Sequence, residues 1–195
     1  ICMENSYTTE KTFDKISFQE TILIKGEYDN CVFNQCDFSN ANLSEFEFTD
    51  CEFNGCNLSL AILKKTIFRN TKFMDCKMLG LNFENYNEFS LSFSFENCQL
   101  NHSSFYKTKI KKTNFKNSKL QETDFTECDL TNSVFENCDL KGASFDQTNL
   151  EKVDFRTSYN YSIDPEINRI KKAKFSISGI SGLLNKYDID IEYNI

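Results

Sequence analysis

The chain has 195 residues, 39% of them hydrophobic, with 20 Phe and 8 Tyr but no Trp, one Pro and six Gly. Its net charge of −7 argues against a broadly basic DNA-binding face, so no direct contact with nucleic acid is expected. No apolar run reaches the length of about 18 residues that a membrane-spanning helix needs. Since no charged and then apolar leader opens the chain, we expect a cytoplasmic protein.

Large apolar residues recur at every fifth position from Phe13 to Phe83, and again in a shifted phase from Phe95 to Phe155. A period of about 2 would predict a β-strand and a period of about 3.6 an amphipathic helix. A period of five fits neither. It predicts a chain that turns a corner every five residues and buries one large side chain on each side.

A second, mostly small residue lies two positions before each of these central residues. Eight of the nine Cys occupy this position, including Cys36 and Cys138. We therefore expect free, buried thiols that pack as small hydrophobic groups. The chain has a single His, His102, at an outward position, so neither a Cys–His metal site nor a cofactor is expected.

Units such as Cys36-Asp37-Phe38-Ser39-Asn40 and Cys138-Asp139-Leu140-Lys141-Gly142 resemble the pentapeptide-repeat family. The resemblance implies an all-β fold, a right-handed quadrilateral β-helix (a pentapeptide-repeat solenoid) in which four repeats make one coil of twenty residues. We expect a lead-in over residues 1–10, the β-helix over 11–157, and a partial last coil with a C-terminal segment over 158–195. Residues twenty apart should then stack on one another.

The repeat phase slips within residues 84–92, which form either a protruding loop or a two-residue bulge on one face. We favour the loop, because the in-phase position 88 holds Glu rather than an apolar residue. Loops on a rigid scaffold often carry function, so Tyr86, Glu88 and Phe89 are candidate partner-binding residues. The alternative is a tolerated insertion whose aromatic side chains fold back on the rod.

Beyond Phe155 the pattern loosens into a last partial coil. Ser181–Tyr187 is predicted to form a short helix, and Asp188–Tyr193 alternates like an exposed strand. A solenoid end has to be covered, because it exposes unpaired backbone and apolar residues. This helix and strand form either a monomeric cap or, as we favour, a homodimer interface. Its residues are Leu183, Leu184, Tyr187, Ile189 and Ile191.

Charge is distributed in bands along the chain. Residues 1–60 carry 3 basic and 11 acidic side chains, residues 61–120 carry 11 and 4, and residues 121–155 carry 2 and 9. The second acidic band supplies the candidate residues for an acidic face, namely Asp124, Asp129, Glu136, Asp139 and Asp154. The alternative for each band is a solvated surface that keeps the rod soluble.

Within this family the chain is most similar to the Qnr-type quinolone-resistance proteins. The similarity rests on two repeat runs split by a loop, a Leu-Leu helix with a terminal strand, and the stretch from Cys56 to Lys64. It implies a dimeric rod that imitates B-form DNA, binds DNA gyrase or topoisomerase IV and protects them from fluoroquinolones. Tyr86, Phe89 and the acidic-face carboxylates would contact the topoisomerase.

The alternative function is a general protein–protein interaction scaffold of unknown partner, which banded rather than uniform acidity favours. An enzyme is not expected. The chain contains no Gly-rich phosphate loop and no nucleophile elbow. A solenoid filled with Phe and Leu also leaves no water-excluding pocket for a general acid–base pair.

Overall fold

The computed structural model describes residues 6–84 and 91–192. Ten short strands belong to one sheet, and all of their pairings are parallel. The strands are β1 (Ser6–Thr9), β2 (Thr12–Asp14), β3 (Gly26–Asp29), β4 (Val32–Asn34), β5 (Glu47–Thr49), β6 (Glu52–Asn54), β7 (Ile67–Met74), β8 (Leu91–Glu96), β9 (Asn114–Lys116) and β10 (Val134–Glu136). Two 3₁₀ helices follow them, Ile177–Leu183 and Asn185–Tyr187.

Successive coils pair at the predicted spacing of twenty residues. Phe33 lies opposite Phe13 on one side and Phe53 on the other. Isolated bridges extend the same parallel register between the strands, as far as Asp154 and Lys174. The predicted fold class, a quadrilateral β-helix built from five-residue repeats, is confirmed.

Each side of the coil is a face with its own column of central buried residues. Face 1 contains Phe13, Phe33, Phe53, Phe73, Phe95, Phe115, Phe135, Phe155 and Phe175. Face 2 contains Phe18, Phe38, Leu58, Met78, Leu100, Leu120 and Leu140. Face 3 contains Leu23, Leu43, Leu63, Phe83, Phe105, Phe125 and Phe145. Face 4 contains Tyr28, Phe48, Phe68, Ile110, Leu130, Leu150 and Ile170.

The column of face 1 is an unbroken ladder of phenylalanine rings. Neighbouring ring centroids lie 4.7 to 5.5 Å apart, with interplanar angles of at most 21°. The spacing follows from the distance of about 4.8 Å between hydrogen-bonded strands. Rings of adjacent faces meet edge to face, as Phe115 does with Phe125 at 6.1 Å. Aromatic pairs favour both arrangements, which explains why Phe dominates the core.

The corners of the coil are formed by residues in the left-handed backbone conformation. At most corners the residue two positions after the central one has a φ between 48° and 71°, and most of these residues are not glycine. The Asp or Asn before the central residue supports the turn by accepting the backbone N–H two positions on. Asp37, for example, accepts from Ser39 at 2.9 Å. These capped corners explain how the chain turns with so few Gly and Pro.

We expect a β-branched residue at such a corner to destabilise the rod. Asn117 has a φ of 49°, a conformation that Asn tolerates and Val does not. Asn117→Val should lower the free energy of unfolding by about 1–2 kcal/mol, measured by urea denaturation. Asn117→Gly is the control, because glycine adopts this φ without strain; an equal loss in both variants would contradict the explanation.

The coil that contains the phase slip is two residues longer than the others. Phe73 pairs with Phe95, and Lys77 with Gln99, so the register across the slip is 22 rather than 20. The candidate loop residues Tyr86, Glu88 and Phe89 lie outside the described residues.

Phe93 provides a core contact that the repeat pattern did not predict. It occupies the small inward position opposite Thr71, and its side chain is buried. Its ring centroid lies 4.9 Å from that of Phe95, 5.4 Å from Phe83 and 6.4 Å from Phe68. Phe93 therefore fills core volume in the longer coil next to the column of face 4. Its position is out of phase with the central residues, so the periodicity gave no signal for it.

Tyr161 closes the C-terminal end of the rod. Its buried ring lies 5.6 Å from that of Phe155 and 5.8 Å from that of Phe175. The first 3₁₀ helix crosses it with two glycines, because a Cβ on Gly182 would lie 2.4 Å from the Tyr161 carbonyl oxygen. Gly179 packs as closely against the Tyr161 hydroxyl. A close glycine contact thus holds this segment on the last coil.

The C-terminal segment differs in part from its prediction. The predicted helix over Ser181–Tyr187 is found as 3₁₀ turns that begin earlier, at Ile177, after the N-cap Ser176. The predicted strand that starts at Asp188 is wrong, because residues 188–192 form no strand. An alternating pattern suits a strand, but a strand also needs a hydrogen-bonded neighbour, and no described segment pairs with these residues.

The predicted dimer residues lie at this end of the rod. Leu183 and Leu184 are partly buried, and Leu183 packs against the core. Tyr187, Ile189 and Ile191 are exposed. No helix in the described parts of the chain is long and apolar enough to cross a membrane.

Candidate partner-binding surface

The five predicted acidic-face residues do not share a face. Glu136 and Asp154 lie on face 1, Asp139 on face 2, Asp124 on face 3 and Asp129 on face 4. The prediction of one acidic face from these residues is therefore wrong. In a coil with a corner every five residues, carboxylates five positions apart lie on successive faces. Residues that are close in sequence are therefore distributed around the rod.

Four of these carboxylates support the corners. Asp124, Asp129, Asp139 and Asp154 each accept the backbone N–H two residues on, at 2.8 to 3.2 Å. This is the contact that the repeat makes in its Asp and Asn positions generally. Their presence in the sequence thus has a structural reason that is independent of any partner.

Several of the same carboxylates also have charged or polar partners. Asp129 contacts Lys111 at 3.1 Å. Asp154 contacts Arg156 at 2.7 Å, and the hydrogen bond from this guanidinium holds the pKa of Asp154 below its usual value. Asp139 accepts hydrogen bonds from Gln121 at 2.6 Å and Asn160 at 2.8 Å. These contacts reduce the negative potential that each carboxylate presents to a partner.

A second set of carboxylates, which shares only Asp124 with the first, lies together on the C-terminal half of face 3 and its adjoining corner. We call this set the acidic strip, and it consists of Asp124, Glu127, Asp146, Asp164 and Glu166. Asp124 and Ser144 pair in successive coils, and the Glu127 N–H donates to the carbonyl oxygen of Asp146 at 2.8 Å. The bridges Asp139–Tyr159 and Asn149–Arg169 keep the register of twenty on either side of Asp164 and Glu166, which continue the strip in the next coil. The strip therefore follows the rod axis instead of encircling it.

Lysines contact the acidic strip at both of its ends. Lys107 lies 3.5 Å from Glu127. Lys186 reaches back from the C-terminal segment to Asp164 at 2.8 Å and to Glu166 at 2.5 Å. Hydrogen bonds from Lys186 lower the pKa of both carboxyls, so they stay ionised well into the acidic range. Lys186 thereby joins the strip to the C-terminal segment, and the two lysines reduce the strip's negative potential at its ends.

The eight described cysteines are free and buried. Burial raises the pKa of the Cys128 and Cys138 thiols to about 12, which keeps them protonated and unreactive at neutral pH. Cys138 also donates to the Phe115 carbonyl oxygen at 3.4 Å. No group of three or more His, Cys, Asp or Glu side chains within residues 6–84 and 91–192 is placed to hold a metal ion.

Sequence comparison agrees with the geometry. A family model of pentapeptide repeats (8 copies) matches residues 17–59 and 51–85, and a model of the pentapeptide repeat region matches residues 91–159. The chain belongs to the pentapeptide-repeat family. No curated protein sequence is significantly similar to it.

Two solved structures show the same fold. One is a trypsin-treated variant of QnrB1, a plasmid-mediated fluoroquinolone resistance protein, with a TM-score of 0.52 and 20% identity over 96% of this chain and 92% of that one. The other is HetL, a pentapeptide-repeat protein involved in heterocyst differentiation regulation in the cyanobacterium Nostoc sp. strain PCC 7120. It has a TM-score of 0.62 and 13% identity over 90% of this pentapeptide-repeat protein and 86% of HetL.

Proposed function

We propose that this pentapeptide-repeat protein is a non-catalytic rod that binds DNA gyrase or topoisomerase IV by imitating the charge of DNA. The acidic strip carries the proposal. Its carboxylates project from three successive coils, and a packed core holds the backbones of neighbouring coils about 4.8 Å apart. A fixed row of negative charges resembles a phosphate backbone, and DNA-binding surfaces are basic.

The C-terminal end of the rod supports a homodimer. Tyr187, Ile189 and Ile191 expose apolar surface there, beside Leu183 and Leu184. A two-fold contact through this surface would cover it in both copies. It would also place two acidic strips end to end, because Lys186 joins each strip to the same C-terminal segment. The doubled row would be longer than one rod provides.

A non-catalytic role fits the interior of the rod. Central residues such as Phe33, Leu100 and Phe125 are fully buried and fill each coil from side to side. General acid–base chemistry needs groups gathered in a site that excludes water, whereas the carboxylates here lie on flat outer faces. We infer binding rather than catalysis, in the cytoplasm where type II topoisomerases work.

The test is a gyrase supercoiling assay with ciprofloxacin, with and without the protein. The wild type should restore supercoiling. Glu127→Lys with Asp146→Lys should weaken this protection at least about 10-fold, equivalent to about 1.4 kcal/mol of binding free energy. Neither residue caps a corner through its side chain, and lysine already occupies both positions of the repeat at Lys111 and Lys112.

The matched control reverses two carboxylates of the same coils on other faces, Glu122→Lys with Glu136→Lys. It makes the same change in net charge and should protect within about 2-fold of the wild type if position on face 3 matters. Equal losses in both variants, or no protection at any wild-type concentration, would contradict the proposal.

A general interaction scaffold is the second candidate function. The likeness to HetL favours it, because that rod is named for a role in differentiation rather than in drug resistance. The dispersal of charge over all four faces also suits several partners better than one DNA-like ligand. Absence of binding to purified gyrase and topoisomerase IV in surface plasmon resonance, with the folded rod immobilised, would favour the scaffold.

A further inference from the structure

The C-terminal half of face 4 gathers basic side chains from widely separated repeats. Four successive coils contribute three outward positions each, and we call these twelve positions the basic half-face. They are Lys109, Lys111 and Lys112; Asp129, Thr131 and Asn132; Asn149, Glu151 and Lys152; and Arg169, Lys171 and Lys172. Bridges from Lys109 to Asp129, Asp129 to Asn149, and Asn149 to Arg169 set their register.

The basic half-face carries seven basic residues and two acidic ones. All seven basic residues are exposed, whereas Asp129 and Glu151 are partly buried. Asp129 is already engaged by Lys111 and by the backbone of Thr131. From the Lys109 row to the Arg169 row the surface spans about 14 Å, three steps of the strand spacing. A concentrated positive potential therefore lies on a protein whose net charge is −7.

This surface is absent from the charge bands of the linear sequence. Residues 121–155 form an acidic band in the sequence. In the rod they supply only the two middle rows of the half-face, between the Lys109 row and the Arg169 row. Most of that band's carboxylates project from the other three faces, and Glu127 and Asp146 lie in the acidic strip of face 3. Folding thus sorts an acidic segment onto neighbouring faces and leaves this half-face basic.

We propose that the basic half-face binds the phosphodiester backbone of a nucleic acid, contrary to the expectation that the net charge alone suggested. No large apolar side chain is exposed among its twelve residues. Protein–protein interfaces draw most of their affinity from buried aromatic and apolar anchors, which this surface lacks. Phosphate binding needs only cations and polar groups, and Thr131, Asn132 and Asn149 supply the latter. Such binding is independent of base sequence.

The ligand lies on a different face from the acidic strip, so the inference does not depend on topoisomerase binding. The half-face belongs to the described residues 109–172 and needs no partner chain to complete it. A nucleic acid lying along it would be repelled by the strip round the corner of the rod. Binding should therefore be weak and confined to one side.

Fluorescence anisotropy of labelled nucleic acid tests this inference without any topoisomerase. A mixed-sequence DNA duplex and a single-stranded RNA, each of about 20 nucleotides per strand, are titrated with the protein between 50 and 200 mM salt. The affinity of the protein for whichever nucleic acid binds, DNA or RNA, should fall as the salt concentration rises. The test variant combines Arg169→Glu, Lys171→Glu and Lys172→Glu, all at positions where the repeat elsewhere holds Glu.

The test variant should bind at least about 10-fold more weakly, and its salt slope should shrink by about one unit for each phosphate that the protein no longer neutralises. The matched control combines Lys77→Glu, Lys119→Glu and Lys141→Glu on the opposite face 2, with the same change in net charge. It should stay within about 3-fold of the wild type, because screening limits the effect of distant charges.

Three results would overturn the inference. The first is no binding of either nucleic acid at 50 mM salt. The second is equal weakening in the test variant and the control, which would reduce the effect to net charge. The third is tighter binding of a polyglutamate peptide than of either nucleic acid, which would assign the surface to an acidic protein. Circular dichroism of both variants checks that the rod is folded.

Discussion

Replacing Phe115 by alanine should lower the free energy of unfolding by about 3–5 kcal/mol, the range for a large aromatic side chain removed from a packed core. Phe115 is fully buried in the middle of the face 1 ladder. Its ring lies 5.1 Å from that of Phe95 and 4.7 Å from that of Phe135. The cavity would interrupt stacking on both sides, in a rod where each coil is stabilised mainly by its neighbours.

Phe13→Ala at the end of the same ladder is the control. Phe13 is only partly buried and stacks on one ring of its column, that of Phe33 at 4.8 Å. We expect a loss of about 1–2 kcal/mol, since less apolar area is returned to water. Urea denaturation followed by circular dichroism measures both variants. Equal losses would show that position within the column is irrelevant.

The second large effect is expected at Phe93. The repeat pattern favours a small residue there, and its neighbour in the column is Thr71, so Phe93→Thr brings the sequence closer to the repeat. We expect the substitution to cost about 2–4 kcal/mol, because it removes the ring that packs between Phe83 and Phe95. A new threonine could recover part of this through a hydrogen bond like that of Thr71 to the Phe48 carbonyl oxygen at 3.1 Å.

The converse change, Thr113→Phe, tests whether the coil with the slip is special. Thr113 occupies the same small inward position in the next coil, which has the usual twenty residues. The Thr113 hydroxyl donates to the Ile110 carbonyl oxygen at 2.8 Å. A ring there should overpack the core and cost about 1–3 kcal/mol. Thermal unfolding measures both changes. A rise in the melting temperature of Phe93→Thr would disprove the assignment of this ring to the core.

Two surfaces of opposite charge meet along one corner of this rod. The acidic strip carries the proposed contact with a topoisomerase, and the basic half-face carries the proposed contact with a phosphodiester backbone. A charged ligand that binds one of these two faces is repelled by the other. Each proposal therefore predicts a defined orientation of the bound rod, which the matched charge reversals on other faces are designed to detect.

The period of five by itself predicted a chain that turns a corner in every repeat, and the resemblance to the pentapeptide-repeat family implied that four repeats make one coil. One large residue per five positions and a small one two places earlier can be buried together only if the chain turns a corner in every repeat. The prediction of stacked columns such as Phe13, Phe33, Phe53 and Phe73 followed from the two together. So did the burial of cysteines such as Cys36 and Cys138, because their position in the repeat faces inward.

The tertiary structure decided which charged residues share a face, which the charge bands of the linear sequence did not show. A coil of twenty residues brings Asn149 beside Arg169 and sends Asp124 and Asp129 to different faces, so proximity in sequence misleads about proximity on the surface. The register across the slip and the packing of Phe93 and Tyr161 also depend on contacts outside the period. The repeat specifies the geometry of a regular coil, whereas the packing of residues outside the repeat, such as Phe93 and Tyr161, depends on the space between neighbouring coils.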